Sequence, residues 1–204
     1  MGRKLDPLPH TENEVAWVVA NFLDAGFPSL ALKGSQATEA EVRTQIAGRR
    51  IVHLACHGLT DQRYGNFYGA LALTPGDDLN DSSNDGFLTL PEIYELNLRD
   101  CELAILSACE TNTGPQQKGE GVWALSRGFL VAGARRVVAS NWLVDDEAAA
   151  TLVSYFSTGV AEAEKQNNLA GCAAALWSAK RSIRKQTKWQ SPYYWAPFVM
   201  VGPD

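Results

Sequence analysis

Two apolar runs in this chain of 204 residues end on side chains that can do chemistry together. One closes as His53-Leu-Ala-Cys-His-Gly58 and the other as Leu106-Ser-Ala-Cys-Glu-Thr111. A cysteine thiol has a pKa of about 8.5, so little thiolate exists at neutral pH without help. An imidazole beside it can take the thiol proton and later protonate a leaving amine. His57 and Cys109 are therefore the candidate catalytic pair. Gly58 has no side chain to hinder a substrate, so its N–H and that of Cys109 are the candidate oxyanion donors. Ser107, two residues before Cys109, shares its face of the strand and is expected to line the pocket floor.

The remaining histidines and cysteines suit bland roles better. Cysteine is among the most buried residue types, and Cys56 should face away from His57 by strand alternation. His53 lies within the first run and is expected to be buried; His10 is near the terminus. Cys101 precedes a strand and Cys172 falls in an alanine-rich helix, so both read as structural. A zinc set of His53, Cys56, His57 and Cys109 would need ligands from opposite strand faces and lacks a CxxC pair, so no metal is expected. The dyad requires no cofactor either.

The elements that position these groups alternate in type. Helices are expected over Glu12–Ala25, from Thr38 to about Gly48 behind a Thr38/Glu41 capping box, and over Leu90–Leu96 with Pro91 in its first turn. Others run over Val122–Ala132, Asp145–Gly159 and Leu169–Lys185. Between them, Arg50–Cys56 (stopped by Gly58), Glu102–Ala108 and Arg136–Ser140 read as buried strands. Leu30–Lys33 and Gly69–Thr74 are further extended segments. Tyr194–Val201 is an edge strand, because Pro197 removes a ladder donor. This alternation implies an α/β fold: a three-layer α-β-α sandwich on a mostly parallel sheet. Ligands of such sheets bind beyond the strand carboxyl ends, where His57 and Cys109 fall. Residues 1–204 read as one domain. Thr60–Phe67 and Pro75–Asp85 are loops flanking the site, placed to act as lids.

Composition narrows the classes. An apolar share of 46% and a net charge of −5 fit a globular domain, and the scattered basic residues argue against nucleic-acid binding. The cluster Lys180, Arg181, Arg184 and Lys185 reads as a solvated helix face. No apolar run is long enough to span a bilayer. Four cysteines in a domain of this size do not form a disulfide framework, which points to a reducing cytoplasm.

The ordered blocks His53-Leu-Ala-Cys-His-Gly58, Leu106-Ser-Ala-Cys-Glu-Thr111, Gly119-Glu-Gly121, Ala132-Gly-Ala134, Ser140-Asn-Trp-Leu-Val-Asp-Asp146 and Tyr193-Tyr-Trp-Ala-Pro-Phe198 resemble the CHAT domain of the caspase-like cysteine peptidases. The likeness covers about Ile51 to Gly202. Caspases place the histidine about 50 residues before the cysteine, and here the gap is 109 − 57 = 52. The resemblance implies a His57–Cys109 endopeptidase acting on a partner protein, in regulated proteolysis or bacterial defence. It is also compatible with a non-catalytic interaction module that keeps the fold, or with a small-molecule amidase. In separase-like relatives an acid shortly after the Trp of the fifth block lines the S1 pocket and meets a basic P1 residue. Asp146 is the nearer match and Asp145 the other; one of the two should cap the following helix. Trp142 is a candidate to pack on substrate side chains, or else belongs to the core. Family members commonly carry helical repeats before this domain, so both a stand-alone form and a fragment of a longer protein are open.

Overall fold

The computed structural model describes residues 5–61, 66, 68–78, 81–108, 111, 114, 116–117, 121–122, 124–168 and 171–203. Its central sheet has four strands. β1 (Ile51–Ala55), β5 (Leu103–Ser107) and β8 (Val137–Ser140) lie parallel, and β9 (Phe198–Val201) adds antiparallel beside β8. The order β1-β5-β8-β9 puts Pro197 immediately before an edge strand, as its missing N–H requires.

Strand alternation divides the core in two. Val52, Leu54, Ala104, Leu106, Val137 and Ala139 face one side. There they meet α2 (Glu39–Gln45), α3 (Leu90–Tyr94) and α4 (Leu125–Val131) through Val42, Ile93 and Phe129. On the other side Leu103, Ile105 and Val138 meet α1 (Thr11–Asp24), α5 (Asp146–Lys165) and α6 (Cys172–Arg184) through Phe22, Phe156 and Ile183. Helices on both faces of a mostly parallel sheet make the expected α/β sandwich. Each fully buried Leu, Ile or Phe here contributes about 1.5–3 kcal/mol.

A second sheet branches off the first. β2 (His57–Leu59), β3 (Ala70–Ala72) and β4 (Phe87–Thr89) pair antiparallel in that order. A two-residue ladder joins β6 (Gln116–Gln117) to β7 (Gly121–Val122).

Three expectations change. Leu30–Lys33 forms no strand. Thr38 does cap α2, accepting the Glu41 N–H at 3.2 Å, but the Glu41 side chain pairs with Gln45 instead of reaching back. Reciprocal capping occurs at α3, where Glu92 accepts from both the N–H (2.8 Å) and the hydroxyl of Thr89. Finally, α5 runs through Gly159 to Lys165. A Cβ at Gly159 would lie 2.8 Å from the Ala175 Cβ, so this glycine allows α5 and α6 to approach closely.

Among the described residues no helix is long and apolar enough to cross a membrane. The basic stretch of α6 lies on its last turns, with Arg181 stacked 4.5 Å over the ring of Trp177.

Candidate active site

β1 ends at Ala55, which is in register with Ser107 at the end of β5. The chain then turns at Cys56, whose N–H donates to the Ser107 carbonyl at 3.4 Å, and leaves the main sheet to enter β2. The strand therefore stops before Gly58, which lies within β2 and does not terminate β1. His57 opens β2 at the carboxyl rim of the parallel sheet.

His57 is half-buried and its Nε2 lies 2.7 Å from the Asp6 carbonyl oxygen. A carbonyl only accepts, so Nε2 carries the proton and donates. In the neutral ring Nδ1 is then the basic nitrogen, the one able to receive a thiol proton.

The backbone of Gly58 is oriented by ladder parity. Leu73 N–H donates to the Gly86 carbonyl (2.7 Å) and Leu90 N–H to the Gly69 carbonyl (2.9 Å), so odd residues of β3 bond to β4. Leu71 thus spends its amide and carbonyl on β4, and its partner Gly58 forms the non-bonded pair with it. The Gly58 N–H faces the open side of β2.

Cys109 lies outside the described residues, as do Glu110, residues 119–120 of the Gly119-Glu-Gly121 block, and residues 62–65, 67, 79 and 80 of the flanking loops. The residues on either side of position 109 are held firmly. The Ala108 carbonyl accepts the Ser140 hydroxyl at 2.8 Å and the Thr111 hydroxyl at 3.3 Å. Thr111 Oγ1 in turn accepts the Ser140 N–H at 3.2 Å, and its carbonyl accepts the Ser126 N–H at 3.0 Å. Thr111 and Ser140 are fully buried. A buried hydroxyl without a partner would cost about 1–3 kcal/mol, so this network fixes the end of β5 against β8. Neither hydroxyl stands out by residue type, because Ser and Thr at strand ends are common. Asp6 contributes only a backbone carbonyl, which leaves no side-chain signature.

The other candidates sort by contact. Ser107 is half-buried at the end of β5. Asp145 is the N-cap of α5, accepting the Ala148 N–H at 2.9 Å. Asp146 is half-buried in the first turn and accepts the His10 N–H at 2.9 Å. Trp142 is 37% exposed, too open for the core, and its indole N–H donates to the Tyr193 carbonyl at 3.1 Å. Residues 6–10 therefore run between His57 and Asp146, bonded to both. Cys56 is partly buried and packs against the α2/α3/α4 side of the core.

His53 pairs with Glu14 of α1 at 2.6 Å, both side chains nearly inaccessible. This turns it away from any ligand set with Cys56, and no group of three metal-ligating side chains is found among the described residues. Burial pushes the thiols of Cys101 and Cys172 up to about 11, which removes them as nucleophiles.

Comparison with known proteins agrees with this architecture. Residues 2–203 match the family model described as "CHAT domain". The human "Tetratricopeptide repeat protein 28" is 26% identical over 97% of this chain, and its mouse counterpart is 26% identical over 97%. The chain spans only 8% and 9% of the lengths of those two relatives. With a family match over nearly the whole chain, and a caspase-like sheet whose rim carries the histidine block, this protein belongs to the CHAT-domain family, which is related to the caspase-like cysteine peptidases.

Proposed function

We propose that this domain is a cysteine endopeptidase whose nucleophile is Cys109 and whose acid/base is His57. The observation that carries the proposal is the His57 tautomer, with Nε2–H held by the Asp6 carbonyl and Nδ1 left basic. In the first step Nδ1 takes the Cys109 proton and the sulfur attacks the scissile carbonyl carbon. The oxyanion accepts from Gly58 N–H and Cys109 N–H. Its collapse breaks the C–N bond, and the imidazolium gives its proton to the departing amine. Water, deprotonated by Nδ1, then attacks the thioester; the acid leaves and the thiol is restored. The cycle needs no cofactor. The substrate is an extended protein segment, bordered by Trp142 and Ser107, with a basic P1 residue facing Asp146. A thiol nucleophile is best preserved in a reducing cytoplasm.

Cys109→Ala and His57→Ala should each abolish cleavage of peptide substrates with the melting temperature unchanged, and Cys56→Ala should retain turnover. Activity should persist in EDTA and vanish with iodoacetamide. Turnover by a folded Cys109→Ala protein would reject the mechanism.

A second reading, a non-catalytic interaction module, is favoured by one observation: the relatives above are very long proteins named for repeats, of which this domain is a small fraction. Labelling of Cys109 by a peptide electrophile, lost in His57→Ala, supports the enzyme; an inert Cys109 supports the module.

A further inference from the structure

α6 buries Leu176, Ala179 and Ile183 and turns its opposite face to solvent. On that face Trp177, Arg181, Arg184 and Lys185 recur at the three- and four-residue spacing that lines side chains along one stripe, and all four are exposed. Lys188, in the turn Thr187–Trp189 that follows, extends the stripe. Residues 171–190 hold these cations and Lys180 but no acid, in a chain whose net charge is −5. Arg43, Arg50, Arg135 and Arg136 each pair with a carboxylate. Arg181, Arg184 and Lys185 pair with none among the described residues. Like charges three and four residues apart repel and weaken a helix. The helix dipole favours cations in a last turn and offsets part of this. It does not account for the indole of Trp177, which is 60% exposed beside them. The Arg181 guanidinium lies 4.5 Å over that ring. A guanidinium seated on a ring keeps N–H donors for a carboxylate, and Trp with Arg is the composition of an interface anchor.

We propose that this stripe docks an acidic, extended segment of a protein, whose carboxylates meet the unpaired cations and whose one apolar residue packs on Trp177. From Trp177 to Lys185 the helix rises about 12 Å, which about four residues of extended polypeptide cover. The stripe is one helix wide, and a nucleic-acid strand would continue past it over a chain of net negative charge, which repels it. The stripe also leads to the cleft. Lys188 pairs with Glu147 in the first turn of α5, next to Asp146. A bound acidic segment therefore lies beside the place where a basic P1 residue is received. Resting on the endopeptidase reading above, the stripe is an exosite: substrates carry an acidic run as well as a basic P1 residue.

Binding is measured on the full-chain Cys109→Ala protein, so that it does not depend on turnover. Fluorescence anisotropy follows the labelled peptide Leu-Glu-Asp-Glu-Glu-Gly-Ser, with a control whose acids are Gln and Asn. The acidic peptide should bind, and should weaken as ionic strength rises from about 0.1 M to about 1 M, where the screening length falls from about 10 to about 3 Å. The double variant Arg184→Glu, Lys185→Glu alters exposed side chains, so the fold survives; it should weaken binding by about tenfold or more, as attraction becomes repulsion. Trp177→Ala should weaken it by about fivefold or more. On the active protein, the same acidic run is joined to a cleavable Arg-P1 peptide through Gly-Ser spacers of about 4 to 12 residues. At the best length it should lower KM by about tenfold with kcat unchanged. The double variant should erase that gain and cleave the short peptide as before. No binding by the acidic peptide, equal binding by its neutral control, or full binding by the double variant would overturn the site. Tighter binding of a uridine oligonucleotide of matched charge would overturn the choice of a protein segment. Binding without any fall in KM would overturn the exosite role. Absence of turnover by every peptide would count against the endopeptidase reading alone, with the stripe decided by the binding result.

Discussion

Glu39 is the most strongly misplaced charge among the described residues, and its titration should be visible in stability. Its side chain is fully buried at the start of α2, with Oε2 accepting the Gly86 N–H at 3.3 Å. Oε1 has no hydrogen-bond partner, although Arg43 Nη1 lies 3.5 Å away. Burial, reinforced by Glu92, raises its pKa from 4.5 to about 7 against the opposing pull of the Gly86 N–H. Because the folded pKa exceeds the unfolded one, the folded state holds the proton longer. Stability is therefore full below about 4.5, declines as pH rises toward about 7, and is level beyond. At 1.36 kcal/mol per unit of pKa the whole loss is about 3 kcal/mol, of which about 2.5 falls between roughly pH 5 and pH 8. Glu39→Gln keeps an acceptor for Gly86 and cannot ionise. Urea unfolding of both proteins near those two pH values isolates the effect, because all other titrating groups cancel in the double difference. The variant's advantage should grow by about 2.5 kcal/mol from the lower pH to the higher. An advantage independent of pH would refute the argument. The contact matters to the site because Gly86, at φ +90°, precedes β4, the outer strand of the sheet that begins at His57.

Other substitutions test separate links. Asp145→Ala removes the α5 cap and should cost about 1 kcal/mol in chemical denaturation with P1 preference intact; Asp146→Ala should lower kcat/KM for Arg-P1 peptides more than for matched Leu-P1 or Asp-P1 peptides. Equal loss across the three peptides would reject Asp146 as the P1 partner. Gly159→Leu forces a side chain into Ala175 and should destabilise the protein by about 1–3 kcal/mol, read as a lowered Tm. An unchanged Tm would mean that α5 and α6 are less closely engaged than their geometry states.

Much of the architecture was legible in the chain itself. Runs such as Leu103–Ser107 and Val137–Ser140 are apolar up to their closing serine, the pattern of strands buried on both faces. Pro197 marked an edge, and Thr38 marked the first turn of α2. The family blocks singled out His57 and Cys109 because the residue types carry the chemistry. Local sequence was silent where a residue's meaning depends on what lies across space. Gly58 read as a stop signal, yet the register with Leu71 makes it an interior residue of β2 with its N–H on the open side. Gly159 read as a helix end, but contact with Ala175 gives it a packing role within a continuing helix. Leu30–Lys33 has strand character, and a strand without a partner to bond does not form. The nitrogen of His57 that stays basic is selected by a backbone carbonyl 51 positions away, and of two adjacent aspartates only backbone geometry decides that Asp145 is the cap. Residue type and periodicity determine which segments are buried and which groups are reactive; hydrogen-bond partners and close approaches between distant segments exist only once the chain has folded.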